Sequence, residues 1–480
     1  MELDHDLKSR QEVRDLVEAA AKAQEALKKM SQSEIDRIVQ EMMQSAKTHA
    51  EELAKMARDE TGFGTVGDKV QKNLFASEKL WSVIKDQKTV GILRKDHENK
   101  VWDVAVPVGV IAGIVPSTNP TSTVIYKSMI ALKSGNAIVF SPHPGAKLCS
   151  LRAAQLMAQA IERAGGPKDA VSCISAPTMQ AVDELMKHPK VSLILATGGG
   201  AMVKAAYSSG TPAIGVGAGN GPAYLHGSCD LKKAVSDIIR SKTFDNGTGC
   251  ASEQSIILER AYAKEAEDEF IRQGCCILDE GDNKRLASFL FRENGTMNPK
   301  IVGKPASELA QLAGLCDAAK QSRVLLARET DAGKQFPYSM EKLCPVLGLY
   351  VVEDEDQALA LSCKILNHEG RGHTFAIHAK DERVIQRFAL AVPVSRFLVN
   401  TPASLGGIGA TTGLFPALTL GCGAVGGSSS SNNIGPLDLI NIRRVAWGDK
   451  QPETVHTTVT SVDDDLVEKL AQKLLQRIKQ

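Results

Sequence analysis

The sequence predicts an α/β protein: two doubly wound α/β domains with a β-hairpin arm projecting from them. Three observations carry this. From residue 109 onward, apolar strand-like runs (109–115, 136–140, 171–175, 191–196) alternate with helical segments (121–133, 147–164, 178–186, 201–207). Buried strands alternating with helices imply a parallel sheet covered on both faces. The same alternation restarts after Leu231, with a helix at 231–240, a strand at 255–258, a helix at 261–273 and further strands at 347–352 and 374–378. Lastly, two β-rich runs at 89–94 and 100–106, joined by polar residues, have the pattern of a hairpin.

Length and composition agree with this. A chain of 480 residues can hold two or three domains with substantial cores. Its 43% hydrophobic and 24% charged residues are ordinary for a globular protein. A formal charge of +1 gives no electrostatic case for nucleic acid or a membrane surface. No apolar run approaches the ~18 residues of a membrane-spanning helix. The acidic start, Met1-Glu-Leu-Asp-His-Asp, does not read as a secretory signal. Ten scattered cysteines fit free thiols in a reducing, cytoplasmic setting. None stands in a Cys-x-x-Cys pair, and no metal site is expected.

The elements follow in order. Residues 7–30 have a helical apolar period through Val13, Leu16, Val17 and Ala20. Ser31 and Glu34 have capping-box spacing and open a helix to about residue 53. A third helical stretch covers 66–84. Residues 215–222 read as a glycine-rich loop, and 401–431, rich in Gly and Ser, as ordered loops lining a cleft. Residues 437–445 form a last strand that could pair with the hairpin. The expected division is 1–88 with 108–225 for a dinucleotide-binding domain and 226–425 for a catalytic domain. Residues 89–107 and 426–448 form the arm, 449–464 a polar linker, and 465–480 an amphipathic tail helix. The tail carries Leu466, Leu470, Leu474 and Ile478 at i, i+4 spacing and is too short to be stable alone. Its apolar stripe needs a partner, either the body of its own chain or another protein.

The chemistry centres on Ser241-Lys-Thr-Phe-Asp-Asn-Gly-Thr-Gly-Cys-Ala-Ser-Glu-Gln-Ser255. Cys250 lies between glycines and an apolar strand, the setting of an exposed nucleophile. Asn119, in Ser117-Thr-Asn-Pro120, lies between a strand end and a helix. An Asn amide together with a nucleophile's own backbone N–H can form an oxyanion hole. A thiolate attacking a carbonyl needs such donors, and loss of hydride to a nicotinamide would leave a thioester on the sulfur. Thr197-Gly-Gly-Gly200 opens a helix, where free N–H groups attract a pyrophosphate. The usual Gly-x-Gly-x-x-Gly fingerprint is missing.

On these residues the chain resembles the CoA-acylating aldehyde dehydrogenases, in particular the aldehyde dehydrogenase half of bifunctional aldehyde–alcohol dehydrogenases and the stand-alone acylating enzymes. The resemblance runs from about residue 39 to 445. It rests on Gly113-Ile-Val-Pro-Ser-Thr-Asn-Pro, Phe140-Ser-Pro-His-Pro, Leu195-Ala-Thr-Gly-Gly, Val203-Lys-Ala-Ala-Tyr-Ser-Ser-Gly and Gly215-Val-Gly-Ala-Gly-Asn. Phe244-Asp-Asn-Gly, Cys250-Ala-Ser-Glu-Gln-Ser, Asn400-Thr-Pro-Ala-Ser and Leu418-Thr-Leu-Gly-Cys-Gly complete it. The resemblance implies an aldehyde dehydrogenase-like fold, with Cys250 as nucleophile and Asn119 as oxyanion donor. It also implies a cofactor site made of Ser117, Thr118, Ser141, Pro142, His143, Thr197, Gly198, Gly199, Gly217 and Glu341. Here Ser141-Pro-His-Pro matches the adenosine-ribose turn, Gly198 and its neighbours the pyrophosphate loop, and Glu341 the glutamate that holds the nicotinamide ribose. His373 and Leu420 are further candidate site residues, the role of His373 being open.

The implied reaction turns a short aldehyde, CoA and NAD into acyl-CoA and NADH, reversibly. Hydrolytic relatives carry a water-activating glutamate in a Glu-Leu-Gly-Gly-Lys motif, and alignment puts Val216 there. Valine cannot take a proton from water, whereas a thiol such as CoA depends less on that base. Acetaldehyde is the default substrate; propionaldehyde, succinate semialdehyde and sulfoacetaldehyde use similar enzymes, and Arg396 could pair an anionic tail. No acidic residue stands near 141–147, so NADP could be tolerated beside NAD. A homodimer or larger homo-oligomer is expected through the arm. The tail helix resembles the encapsulation peptides of bacterial microcompartment enzymes and so implies a shell protein as partner. A hydrolytic dehydrogenase and a non-enzymatic shell or filament component are the rival readings.

Overall fold

The computed structural model describes residues 4–292, 296–448 and 463–479. The linker expected at 449–464 lies almost wholly outside them. Fifteen strands are named here in chain order. The first five are β1 (Gly91–Asp96), β2 (Val101–Pro107), β3 (Val110–Val115), β4 (Ala137–Pro142) and β5 (Val171–Cys173). Then come β6 (Val191–Thr197), β7 (Ala213–Val216), β8 (Gly221–Leu225), β9 (Glu253–Glu259) and β10 (Cys275–Ile277). The last are β11 (Val324–Arg328), β12 (Val346–Val352), β13 (Gly372–His378), β14 (Val394–Val399) and β15 (Ile440–Ala446).

They form three sheets. The five-stranded sheet has the order β5-β4-β3-β6-β7 and is parallel throughout. The chain winds outward from β3 in both directions, so a crevice opens between the carboxyl ends of β3 and β6, where ligands of such sheets bind. Lys127, fully buried on the helix Pro120–Lys133, spans that crevice. Its Nζ donates to Ile114 O and to Leu195 O, both at 2.8 Å, which ties the two diverging strand ends together. Burial pushes this ammonium down to about 7. The helix itself is buried along its whole length, which is why its sequence shows little amphipathic pattern.

The seven-stranded sheet, β10-β11-β12-β9-β8-β13-β14, is also parallel. Strand β8 belongs here, so the change of sheet falls between Val216 and Gly221, earlier than the boundary expected at 225. The glycine-rich segment read as one loop is in fact two strand ends, β7 and β8, with a connection of four residues. The cause of the misreading is plain: Gly and Pro weaken strand propensity, while buried parallel pairing, with β6 for β7 and on both sides for β8, overrides it. Strands β10, β11 and β14 also had no expectation attached; of these only β10, at 3 residues, is too short to show a pattern.

The third sheet pairs β1, β2 and β15 antiparallel, with β2 in the centre. The late strand therefore does join the early hairpin. Its side chains are largely exposed, and Trp447 packs edge-on against Trp102 with ring centroids 4.9 Å apart. The amino-terminal helices match the expected stretches, His5–Leu27 and Gln32–Thr48, the second opened by the Ser31 capping box. The stretch expected as one helix at 66–84 contains a π-turn over Phe75–Lys79 between Val66–Leu74 and Leu80–Ile84. The tail helix Asp464–Ile478 is exposed on every side, so it does not pack onto its own body.

Packing at the centre of β3 is close. A Cβ at Gly113 would lie 2.6 Å from Phe140 Cδ1 of β4. Gly113→Val is expected to lower stability by about 1–3 kcal/mol through overpacking, read as a fall in the urea unfolding midpoint.

Candidate active site

A cavity of about 350 Å³ lies where the carboxyl ends of β3, β6 and β7 face the segment preceding β9. Eleven of the fourteen expected site residues line it: Cys250, Asn119, Ser117, Thr118, His143, Thr197, Gly198, Gly199, Gly217, Glu341 and Leu420. Ser141 and Pro142 do not; they are buried in β4, directly below the exposed turn that begins at His143. His373 is also away from the wall. It is fully buried in β13, pairs its Nδ1 with Thr374 Oγ1 at 2.9 Å, and burial with nearby Arg396 pushes it down to about 3. It is therefore a neutral imidazole.

Arg396 is not placed to meet a substrate tail. It is 2% exposed and donates to the carbonyl of Gly421 at 2.7 Å and of Ser431 at 3.4 Å, bracing the 420–431 segment. Burial lowers its pKa.

Cys250 is half-buried rather than freely exposed. Its loop is shaped by a left-handed run: Asp245, Asn246 and Gly247 have φ of 49°, 52° and 76°. For Asp245 and Asn246 this is costly and is held by partners. The Asp245 N–H donates to Asp68 Oδ2 at 2.9 Å, and Asn246 Nδ2 donates to Gly303 O at 2.9 Å. Ser404 N donates to Ser241 Oγ at 2.8 Å and Ala403 N to Glu253 Oε1 at 2.9 Å, so the 401–431 region clasps the same loop. Burial first, then Glu341 and Cys422, push the Cys250 thiol up to about 12, against the pull of Arg396. At neutral pH the sulfur is a thiol.

The approach to the nucleophile is tightest at Gly219. A Cβ there would stand 1.8 Å from the Cys250 carbonyl oxygen. Only a glycine lets the β7–β8 connection pass behind Cys250. The Gly219 N–H also donates to Glu341 Oε1 at 2.9 Å. Burial, with Glu369 beside it, raises Glu341 to about 8.

The cofactor expectation can be tested on the wall itself. Gly199 and Gly217 have open space where a Cβ would point, and a Cβ at Gly198 would only touch Met202, at 3.7 Å. The helix Gly200–Tyr207 begins there, with Gly199 as N-cap and no side chain over its free N–H groups. Thr197 Oγ1 is buried and lacks a partner among the described residues. Open backbone, unclaimed N–H donors and an orphaned hydroxyl fit a pyrophosphate-bearing dinucleotide. Tertiary structure also brings an acid to the 141–147 turn: Glu60 accepts from Leu148 N at 2.9 Å and Cys149 N at 2.8 Å.

Sequence reading missed other wall residues. They are Lys72 from an amino-terminal helix and the apolar Phe244, Met297, Leu343, Ile408 and Leu418. Lys72 had no local signal, since it sits on an ordinary amphipathic helix. Val216, 2% exposed, lines the cavity where a hydrolytic enzyme would need its base. Among the described residues no group of three or more His, Cys, Asp or Glu could hold a metal ion.

The fold, with a cysteine, an amide and an open helix N-terminus on one cavity, is that of an aldehyde dehydrogenase-like protein. Residues 4–274 match the aldehyde dehydrogenase family, and the chain belongs to it. It is 43% identical over 440 residues to the bifunctional aldehyde-alcohol dehydrogenase of Escherichia coli, covering 91% of this chain and 49% of that protein. The chain thus spans about half the length of such bifunctional relatives. The succinate-semialdehyde dehydrogenase (acetylating) of Clostridium kluyveri is 36% identical, over 92% of this chain and 96% of that one. Among solved structures, a probable aldehyde dehydrogenase from Listeria monocytogenes is 56% identical with a TM-score of 0.93, covering 94% of this chain and 99% of that one. An acetylating aldehyde dehydrogenase from Geobacillus thermoglucosidasius is 51% identical with a TM-score of 0.92 and the same coverage. A propionaldehyde dehydrogenase from Rhodopseudomonas palustris, solved with bound CoA and an acylated cysteine, is 30% identical with a TM-score of 0.82, over 91% and 97% of the two chains.

Two measurements check this site. Alkylation of Cys250 by iodoacetamide in the free protein is expected to speed up about tenfold per pH unit from about pH 6 to 10, without a plateau, because only the thiolate reacts. Gly219→Ala is expected to leave the fold intact by circular dichroism but to slow that alkylation or turnover by at least about tenfold, since displacing reacting groups by about 1 Å is that costly.

Proposed function

We propose that this chain oxidises a short apolar aldehyde to its acyl-CoA, with CoA as acyl acceptor and NAD as oxidant, and also runs the reverse reaction. The observation that carries this reading is Cys250 in one cavity with Asn119 and with Val216 at the position of a water-activating acid. The Cys250 thiol loses its proton to water as its sulfur adds to the aldehyde carbon, and the carbonyl oxygen becomes an oxyanion. Asn119 Nδ2 and the Cys250 backbone N–H are the donors offered to it. A bound nicotinamide dinucleotide supplies the acceptor for the two electrons and the hydrogen leaving that carbon. Cys250 is then held as a thioester. Val216 cannot ready a water, so the thioester persists until the CoA sulfur attacks it and the Cys250 sulfur leaves. One thioester bond breaks as another forms, which makes the exchange reversible.

Thr197, Gly198 and Gly199 would hold the pyrophosphate, Ser117, Thr118 and Gly217 the neighbouring wall, and Glu341 the nicotinamide ribose. The exposed turn that begins at His143, just after the buried Ser141 and Pro142, would take the adenosine ribose. Glu60 supports NAD over NADP, because its carboxylate already occupies the N–H groups that a 2′-phosphate at this turn would seek.

The wall supports an apolar substrate, acetaldehyde or propionaldehyde, over an anionic one. Phe244, Met297, Leu343, Ile408, Leu418 and Leu420 make its apolar part. Its one lysine among the described residues, Lys72, is engaged by Asp245. Succinate semialdehyde and sulfoacetaldehyde would bring an anion to this wall with no free cation to meet it.

The exposed face of β15 with Trp447 supports a homo-oligomer formed through the arm. Leu466, Val467, Leu470, Leu474, Leu475 and Ile478 are all at least half exposed on the tail helix, which supports its docking to a microcompartment shell protein. Among the described residues no helix is long and apolar enough to cross a membrane.

The test is NADH absorbance with a panel of aldehydes, with and without CoA. Steady turnover is expected only with CoA, fastest with two- and three-carbon aldehydes, and absent in Cys250→Ala. Equal steady turnover without CoA would make the protein a hydrolytic dehydrogenase instead. Deleting residues 463–480 is expected to leave kcat unchanged and to abolish recruitment to shells, read by fluorescence microscopy of a tagged chain.

A further inference from the structure

Asn119 stands at the N-cap of the helix Pro120–Lys133, where an Asn side chain ordinarily accepts a backbone N–H. It makes no such bond here. Its Oδ1 instead accepts from Lys72 Nζ at 2.6 Å, and its Nδ2 donates to Thr118 Oγ1 at 3.2 Å. An ammonium has only donors, so it can face the amide oxygen but not the amide nitrogen. Lys72 thereby settles which way the amide points. One N–H of Nδ2 goes to Thr118, and the second remains for a ligand in the cavity.

Lys72 is itself fixed. Besides Asn119, its Nζ donates to Asp245 Oδ2 and to Thr248 Oγ1, the latter at 3.0 Å. Three N–H groups thus meet three acceptors. The ammonium also lies 5.4 Å from the centre of the Phe244 ring. Asp245 is fully buried and accepts further from Lys69 Nζ at 3.1 Å, Thr65 N at 2.9 Å and Thr248 Oγ1 at 2.8 Å. Its burial alone would raise its carboxyl pKa, but Lys72 and Lys69 outweigh that and hold it below the usual carboxylate range. The left-handed backbone at Asp245 aims this carboxylate inward, away from solvent. An elaborate buried pair therefore ends on a single amide that faces the cavity.

We propose that Lys72 is a positioning residue for thioester formation: its ammonium, anchored by Asp245, holds the Asn119 amide with Nδ2 toward the substrate oxygen and polarises it. A cation on the amide oxygen draws electron density from nitrogen and makes the remaining N–H a stronger donor. The benefit grows as charge develops on the substrate oxygen, so it falls on rate rather than on aldehyde binding. This inference rests on the oxyanion role of Asn119 proposed above.

The readout is the burst of NADH formed from aldehyde and NAD without CoA, in which each acylated Cys250 yields one NADH. Lys72→Met is expected to keep a burst of about one per site but to slow it about 10- to 100-fold, below the 10²–10³ that losing a whole oxyanion donor costs. The KM for aldehyde is expected to stay within about twofold, as for an interaction made only in the transition state. Lys72→Gln, which keeps a donor for Asn119 Oδ1 but no charge, is expected to fall between Lys72→Met and wild type. In an Asn119→Ala background, Lys72→Met is expected to add less than about a threefold loss, because the two act as a unit. An unchanged burst rate in both Lys72 variants, or fully multiplicative losses in the double variant, would overturn the proposal. So would a reduced burst size at unchanged rate, which marks a merely structural role. An unchanged rate in Asn119→Ala alone would sink the oxyanion reading itself, and absence of any burst in the wild type would sink the proposed reaction.

Discussion

Everything in the site depends on how closely the β7–β8 connection passes behind the nucleophile. Gly219 approaches the Cys250 carbonyl so nearly that no side chain fits between them. That contact joins the two parallel sheets at the point where the chain changes from one to the other. The five-stranded sheet offers the open glycines and the free helix N-terminus; strand β9 of the seven-stranded sheet begins just after the sulfur. With any larger residue at 219, the two halves of the cavity would separate. The Gly219 N–H also fixes Glu341, so one backbone position sets both the nucleophile and the cofactor-side carboxylate.

Around this contact the protein buries an unusual set of charges. Lys127 ties the ends of β3 and β6 through their carbonyls. Lys242 donates to Gln254 Oε1 and Lys342 O, and Lys342 to Tyr338 O and Met340 O. Burial pushes Lys242 down to about 8 and Lys342 to about 7. These ammoniums use carbonyl groups rather than carboxylates as partners, which satisfies their donors without building paired ions. Lys69, Lys72 and Asp245 differ, because there a carboxylate is buried between two lysines. Breaking such an arrangement from one side leaves an uncompensated charge. It is therefore a stiff support, suited to holding a neighbouring side chain in one orientation.

Much of the architecture was legible in the chain. Apolar strand runs alternating with helices identified both parallel sheets, and the hairpin with its late third strand was readable from β-rich runs. Strands β7 and β8 were not, because their glycines and proline carry the signature of a loop. The π-turn at Phe75–Lys79 was also hidden, since its residues keep the helical apolar pattern. For the site, the residues that met at the cavity were those on strand ends and glycine loops. Ser141 and Pro142, at the end of β4, and His373 in β13 did not meet there because all three are buried, and identity alone does not reveal which face a strand residue's side chain takes. Arg396 looked available to a substrate only because its carbonyl partners in the 420–431 segment are distant from neighbouring residues in sequence.

By itself the sequence determined the α/β class and singled out Cys250 and Asn119 as candidate nucleophile and amide donor. These are properties of local pattern and residue chemistry, and they survive without coordinates. Tertiary structure alone decided that Lys72 meets Asn119, that Glu60 occupies the turn after β4, and that Gly219 lies against Cys250. Each of those contacts joins segments about 30 to 90 residues apart in the chain, and no periodicity or propensity carries information over that range. The same holds for the state of the sulfur: a thiol raised to about 12 is a consequence of the surroundings that bury it, not of the residues beside it in the chain.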